Sequence, residues 1–301
     1  LYGQYLFRAN LPVEANAQAQ KLWLVGKSQP EACDALFSQW QRSGGLTDEL
    51  RWQRAKLAAE AGQYGLASSL IRQLPGLTHK GQLLVEVAQK PQLLKQTGKF
   101  VPADRQMADV VGLGLRRMAR QNPEQAIEWL EFYGNRLPFS SEEKVAIARS
   151  IGLTLAKRFD ARALKVMAQY DPELRDNTVS EWRTRLLLRL GRWNEAHELT
   201  LKLPQELAST PRWRYWQARS LQLAQPQNPQ VPLLYAPVAN ERDIYGFMAA
   251  DQVKQSYQLN NRPLALDPKV MQKVRNTAGV RRAMEFHARG QIVDGRREWY
   301  H

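Results

Sequence analysis

Cysteine is almost missing from this chain of 301 residues: Cys33 stands alone. No internal disulfide can form, and no pair of thiols has metal-ligand spacing. The expected role of Cys33 is burial as a small apolar side chain. Runs of apolar residues are short and none reaches eighteen, so the sequence contains no membrane-spanning helix. Histidines number four, one of them the final residue, too few to place a Ser-His-Asp arrangement. "HELTL" (197–201) begins like a zinc-protease helix but ends in Leu201, so the second imidazole is missing and neither metal nor cofactor is expected. Strand signals are nearly absent too. The chain starts at Leu1 without a charged-then-apolar leader, and its last helical pattern breaks off at His301. It reads as a piece of a longer protein, cut at both ends.

Acidic residues are outnumbered, 29 to 43, which leaves a net charge of +14. Nucleic acid, an acidic membrane surface or an anionic polymer would all be attracted. Residues 241–301 carry eleven Lys/Arg against seven Asp/Glu, so their +4 is about an even share. Nucleic-acid binders gather charge into a patch. An acidic matrix fits this distribution at least as well, and no nucleic-acid partner is expected. A composition of 44% hydrophobic and 24% charged residues places the chain among folded proteins rather than disordered ones.

What is present is helix. Apolar positions recur at helical spacing, with Gly or Pro every ten to twenty residues. Two segments superpose without gaps, "AKLAAEAGQYGLASSLIRQLP" (55–75) and "TRLLLRLGRWNEAHELTLKLP" (184–204). Both read Gly-x-aromatic-x2-Ala-x6-Leu-Pro. The glycine ends one helix in a left-handed conformation, the aromatic opens the next, and the alanine allows close approach. "SQPEACDALFSQW" (28–40) and "QNPEQAIEWLEFY" (121–133) are further helix openings, with Pro in the first turn and Glu against the dipole. Such hairpins stack into an α-solenoid, because one pair alone cannot bury its apolar face. The expected fold is all-α, an irregular α-superhelix over residues 1–230 and a small helical domain over 231–301. The boundary is set at "AQPQNPQVPLLYAP" (224–237), whose four prolines are incompatible with a continuous helix.

Catalytic chemistry is hard to find. Glu142, Glu143, Glu128 and Glu131 are the nearest candidates for paired carboxylates, and all are expected on solvated helix faces. "GLGLRR" (112–117) imitates a phosphate loop but has Arg117 at the third glycine and no preceding strand, a chance match. No catalytic residue is assigned. The stretch "WRYWQAR" (213–219) is expected to be core, with Trp213, Trp216, Leu221, Leu223 and Ala224 within an arc of about 160°. Its arginines fall at the edges, where their stems cover rings.

Three segments go beyond generic helix: "KLWLVGKSQPEACDALFSQW" (21–40), "WRYWQARSL" (213–221) and "ERDIYGFMAADQV" (241–253). They resemble the non-catalytic part of soluble lytic murein transglycosylases, and the resemblance covers essentially the whole chain. It implies a superhelical ring domain, then a linker domain, then a lysozyme-like catalytic domain at the C-terminus. The catalytic motifs of that family, Glu-Ser, Gly-Leu-Met-Gln and Ala-Tyr-Asn-Ala-Gly, do not occur in these 301 residues. The implied parent reaction is non-hydrolytic cleavage between N-acetylmuramic acid and N-acetylglucosamine, leaving a 1,6-anhydro product, with no cofactor. The implied role of this chain is a wall that confines glycan strands, whose stem peptides carry carboxylates. Arg212, Arg214, Tyr215, Arg219 and Arg242 are the candidate substrate contacts. Peptidoglycan strands and the protein's own catalytic domain are the implied partners, for a periplasmic monomer inactive by itself. A free-standing basic helical-repeat scaffold for proteins or peptides is the competing reading, and a basic α-solenoid on RNA or DNA ranks third.

Overall fold

A computed structural model describes residues 2–300, and every regular element among them is helical. Helices α1 (Tyr2–Arg8), α2 (Pro12–Trp23) and α3 (Asp34–Arg42) lead into the first expected hairpin, α4 (Asp48–Glu60) and α5 (Tyr64–Ile71). Then come α6 (Thr78–Gln89), α7 (Arg105–Gln121) and α8 (Pro123–Gly134). Helix α9 (Ser141–Ile147) passes through a π-helical turn, Ala148–Gly152, into α10 (Leu153–Ala156) and on to α11 (Arg162–Tyr170). The second expected hairpin is α12 (Asn177–Arg189) with α13 (Trp193–Thr200). Helices α14 (Gln205–Ala208), α15 (Pro211–Ala224), α16 (Gln230–Val238) and α17 (Ile244–Val253) follow. A non-helical stretch, 255–267, leads to α18 (Pro268–Arg275), α19 (Ala278–Ala288) and α20 (Ile292–Tyr300).

Helices pack mainly on their near neighbours in the chain, α4 on α5, α6 on α7, α13 on α15, α15 on α16 and α19 on α20. That is the all-α superhelix expected from the sequence. Its punctuation is one backbone motif. After α4, the Gly62 N–H donates to the Ala59 carbonyl, and the next N–H, of Gln63, reaches the Ala58 carbonyl. Gly191 repeats the pattern on Leu188 and Leu187, with φ of +70° against +78° at Gly62. The same pair of bonds closes helices at Asn10, Gly44, Phe159, Lys254 and Gly290, all at positive φ. In both hairpins the aromatic, Tyr64 or Trp193, is the first helical residue. The alanines Ala67 and Ala196 are buried, as are Leu74 and Leu203.

The segment 21–40 folds around its two tryptophans. Trp23 and Trp40 meet edge to face at 6.0 Å, Phe37 joins them, and the Arg54 guanidinium stacks over Trp23 at 4.1 Å. Gly26 lies so close to the α4 backbone that a side chain there would press on the Leu57 carbonyl.

Two of the four boundary prolines, Pro232 and Pro237, are taken up into helix. Residues 230–238 are helical, with Pro232 in the first turn, where its missing N–H has no intrahelical acceptor, and Pro237 one residue from the end. Helices α15, α16 and α17 share one apolar cluster, built on Tyr215, Leu221, Tyr235 and Val238, which runs across position 230. Helix breaks at 225–229, where Pro226 and Pro229 sit, and a longer break falls at 255–267. Beyond it, the break between α18 and α19 is at Asn276 and Thr277, slightly before Gly279.

Candidate functional site

Helix α4 places Trp52 and Lys56 one turn apart, and α7 places Asp109 and Arg116 two turns apart. Those faces meet. Trp52 Nε1 donates to Asp109 Oδ2 at 2.7 Å, and Lys56 Nζ sits 2.5 Å from Asp109 Oδ1 and 3.7 Å from Glu143 Oε2. Arg116 reaches Glu60 through Nε and Nη2, both at 3.3 Å, and pairs with Glu143 through Nη1. Arg117 Nη2 donates to the carbonyls of Ala59 and Glu60 at 3.1 and 2.7 Å, closing the C-terminus of α4.

Asp109, Arg116 and Glu143 are all buried. The expectation of a solvated face therefore fails for Glu143, which is 5% exposed, while Glu128, Glu131 and Glu142 are exposed. "GLGLRR" lies inside α7, where it has a packing role: a side chain at Gly112 would collide with the Glu143 carboxylate, and one at Gly114 with Val87.

A cavity of about 640 Å³ opens over this cluster, with Lys56, Glu60, Arg116, Arg120, Glu142 and Arg149 among its lining. The π-helical turn supplies Arg149 and Ser150, and the Ser150 hydroxyl donates to the Arg116 carbonyl at 3.0 Å. Both signs of charge are present, and Lys56, Glu60, Arg116 and Arg149 are held in ion pairs, which suits polar binding rather than proton transfer. Glu142, at the rim, titrates below the usual carboxylate range because its own backbone N–H and the Ser140 hydroxyl favour the anion. Asp160 is lowered by its bonds from Arg162. Asp104 and Asp176 are lowered as well: partial burial works against this, but Lys80 and Arg149 with backbone N–H groups outweigh it. A carboxylic acid that protonates a leaving group near neutral pH needs the opposite shift.

The sequence-predicted contacts lie elsewhere, around α15. Trp213 and Tyr215 are 2% and 3% exposed. Tyr215 packs edge to face on Trp216 and within 5.8 Å of the Tyr235 and Tyr245 rings. Burial pushes its phenol pKa up. Tyr215 is thus packed between helices and offers little surface to a ligand. Leu223, assigned to the apolar arc, is exposed.

The arginines are at the edges, as their spacing suggests. Arg212 lies 3.6 Å from Glu181 and 5.7 Å from the Tyr245 ring. Arg214 faces Glu241 at 3.5 Å, Arg219 donates to Gln222 Oε1 at 2.7 Å, and Arg242 is exposed. These side chains share a region but converge on no single point. Cys33 is half-buried against the main core rather than fully enclosed, and His197 Nδ1 bridges to the Gln217 carbonyl at 3.0 Å. Sequence reasoning missed Lys56, Asp109 and Arg116. Only the paired glycines of α7 hinted that something presses on that helix.

Comparison with known proteins agrees with the fold. A family model described as cucumovirus coat protein matches residues 5–94, under a third of the chain. The match to a solved lytic transglycosylase, Slt from Pseudomonas aeruginosa in an inactive mutant form, covers 99% of the chain at 62% identity and a TM-score of 0.86. It spans 49% of that protein. The 70-kDa soluble lytic transglycosylase of Escherichia coli shares the fold, with a TM-score of 0.67 at 24% identity. By sequence, the soluble lytic murein transglycosylases of Salmonella typhimurium and Escherichia coli are 28% and 27% identical over 80% and 82% of the chain. The chain spans 38% of the length of each. No helix among the described residues is long and apolar enough to cross a membrane.

Proposed function

We propose, from the premise that this chain is a homologue of the soluble lytic murein transglycosylases, that it is a non-catalytic wall confining peptidoglycan strands while cleavage occurs elsewhere in the protein. The supporting observation is the superhelix itself, followed over 99% of this chain but only 49% of the Pseudomonas enzyme. In this reading the chemistry, release of a 1,6-anhydromuropeptide without hydrolysis, belongs to the half that the chain does not span. Charge supports a holding role. A net +14, spread over the length, meets an anionic polymer with many weak contacts, each on the order of 0–1 kcal/mol. A strand held that way can still slide. The carboxylates support the absence of cutting: Asp104, Glu142, Asp160 and Asp176 are all shifted toward the anion, and Glu143 is occupied by Arg116 and Lys56. The periplasm is the compartment in which such a monomer would work.

Co-sedimentation with purified sacculi tests the reading. The chain should pellet with sacculi at low ionic strength and be released as salt rises. Failure to pellet at any ionic strength overturns it.

A further inference from the structure

A groove between α11, α12 and α13 holds a cation that the rest of the molecule leaves alone. The cavity measures about 670 Å³, with a floor of Leu164, Leu174, Leu187 and Leu199. Arg183 lines it from α12, half-buried, and makes no hydrogen bond or ion pair among the described residues. Burial lowers its pKa, with Asp171 and Glu195 pulling it back up from a distance. Its neighbours in the chain are all engaged. Arg175 is on Glu173 at 2.6 Å, Arg185 on Glu181 at 3.6 Å and Arg192 on Glu195 at 2.5 Å. Lys165, also on the rim, is 3.1 Å from Glu131. Lys202 and Glu198 complete the rim, both exposed and without an ion-pair partner among the described residues. The groove therefore offers two free cations, one free acid and an apolar floor.

We infer that this groove binds the terminal carboxylate of a short peptide, with Arg183 as the anchor and Lys202 as the second cation. A planar guanidinium matches a carboxylate with two parallel hydrogen bonds. Arg183 is already partly desolvated, so the ligand displaces little water from it. The floor accepts small apolar side chains, and the volume lies within the usual range of ligand cavities. Glu195 and Glu198 disfavour a doubly charged phosphate, while Glu198 is free to meet an ammonium on the same ligand. This deepens the scaffold reading, because the strands proposed as substrate carry peptides with free carboxylates.

Titration calorimetry of the whole chain with trialanine, a probe without glycan, separates the two ideas, since sacculus binding can survive its failure. Trialanine should bind saturably and its C-terminal amide about tenfold or more weakly. Arg183→Met should lose binding by a similar factor, and Arg183→Lys should recover part of it. If Arg183→Met does not fold, Lys202→Met on the exposed rim should still weaken trialanine several-fold. Equal binding of acid and amide, binding unchanged by these substitutions, no saturable binding, or inorganic phosphate competing as well as acetate would each overturn the assignment.

Discussion

Glu143 of α9 lies flat against Gly112 of α7, its carboxylate in the space where a side chain at position 112 would begin. Arg116, one turn further along α7, takes that same carboxylate. Glycine and arginine together thus seat a buried acid on a helix interior. Gly112→Ala should cost about 1–3 kcal/mol by overpacking. Glu143→Ala should cost about 2 kcal/mol, because Arg116 and Lys56 lose a partner while keeping Glu60 and Asp109. The double variant should cost clearly less than the sum, since the collision disappears with the carboxylate. Urea unfolding of the three variants checks this, and strict additivity would refute the contact.

The recurring helix end makes a second prediction. No atom lies within 4 Å of a Cβ placed at Gly62, and only the Trp193 ring, 3.8 Å away, approaches one at Gly191. Alanine at either site should therefore cost about 1–2 kcal/mol through left-handed backbone alone. Phe159 adopts the same conformation at φ +58°, exposed and under the Arg189 guanidinium. Phe159→Gly should raise stability by up to about 1 kcal/mol. A loss at Phe159, measured by thermal unfolding, would show that the ring contact outweighs the backbone.

Tryptophans of α15 should differ. Trp213 is buried and its Nε1 donates to Glu181 Oε1 at 3.3 Å, so Trp213→Ala should cost about 3–5 kcal/mol. Trp216 is only half-buried, so its alanine variant should cost less than half as much. Equal losses in denaturant melts would contradict the orientation of the helix.

Acid should unfold the chain through its paired aspartates. Asp104, Asp160 and Asp176 titrate in the folded state below their ordinary 3.8. Their contribution is complete above that value and is lost as pH falls through the lowered folded values. Melting temperature should drop steeply below about pH 4. Asp176→Asn, which removes the pair with Arg149, should flatten that limb. An unchanged acid limb would argue against Asp176 as a contributor.

The hairpins were legible because their signals are local: Gly62 and Tyr64, or Gly191 and Trp193, state a helix end and a helix start within three residues. Glu143 was not, because its partners Arg116 and Lys56 come from helices far away in sequence. Helical spacing assigns a residue to a face but does not say whether another helix covers that face. The burial of Tyr215 was hidden for the same reason, since residues of α16 and α17 pack against it. Pro226 and Pro229 mark a break in helix, but Pro232 is accommodated in a first turn, where a missing N–H costs nothing, and Pro237 near the end of the helix. The charged edges of α15 were readable, but the unpaired Arg183 was not, because a missing partner leaves no mark in a sequence.

The central claim is that this chain grips cell-wall glycan without cutting it. Mass spectrometry of the supernatant after prolonged incubation of the pure chain with sacculi tests that directly. The account predicts bound protein and no 1,6-anhydromuropeptides. Accumulation of those products above a protein-free control would contradict it.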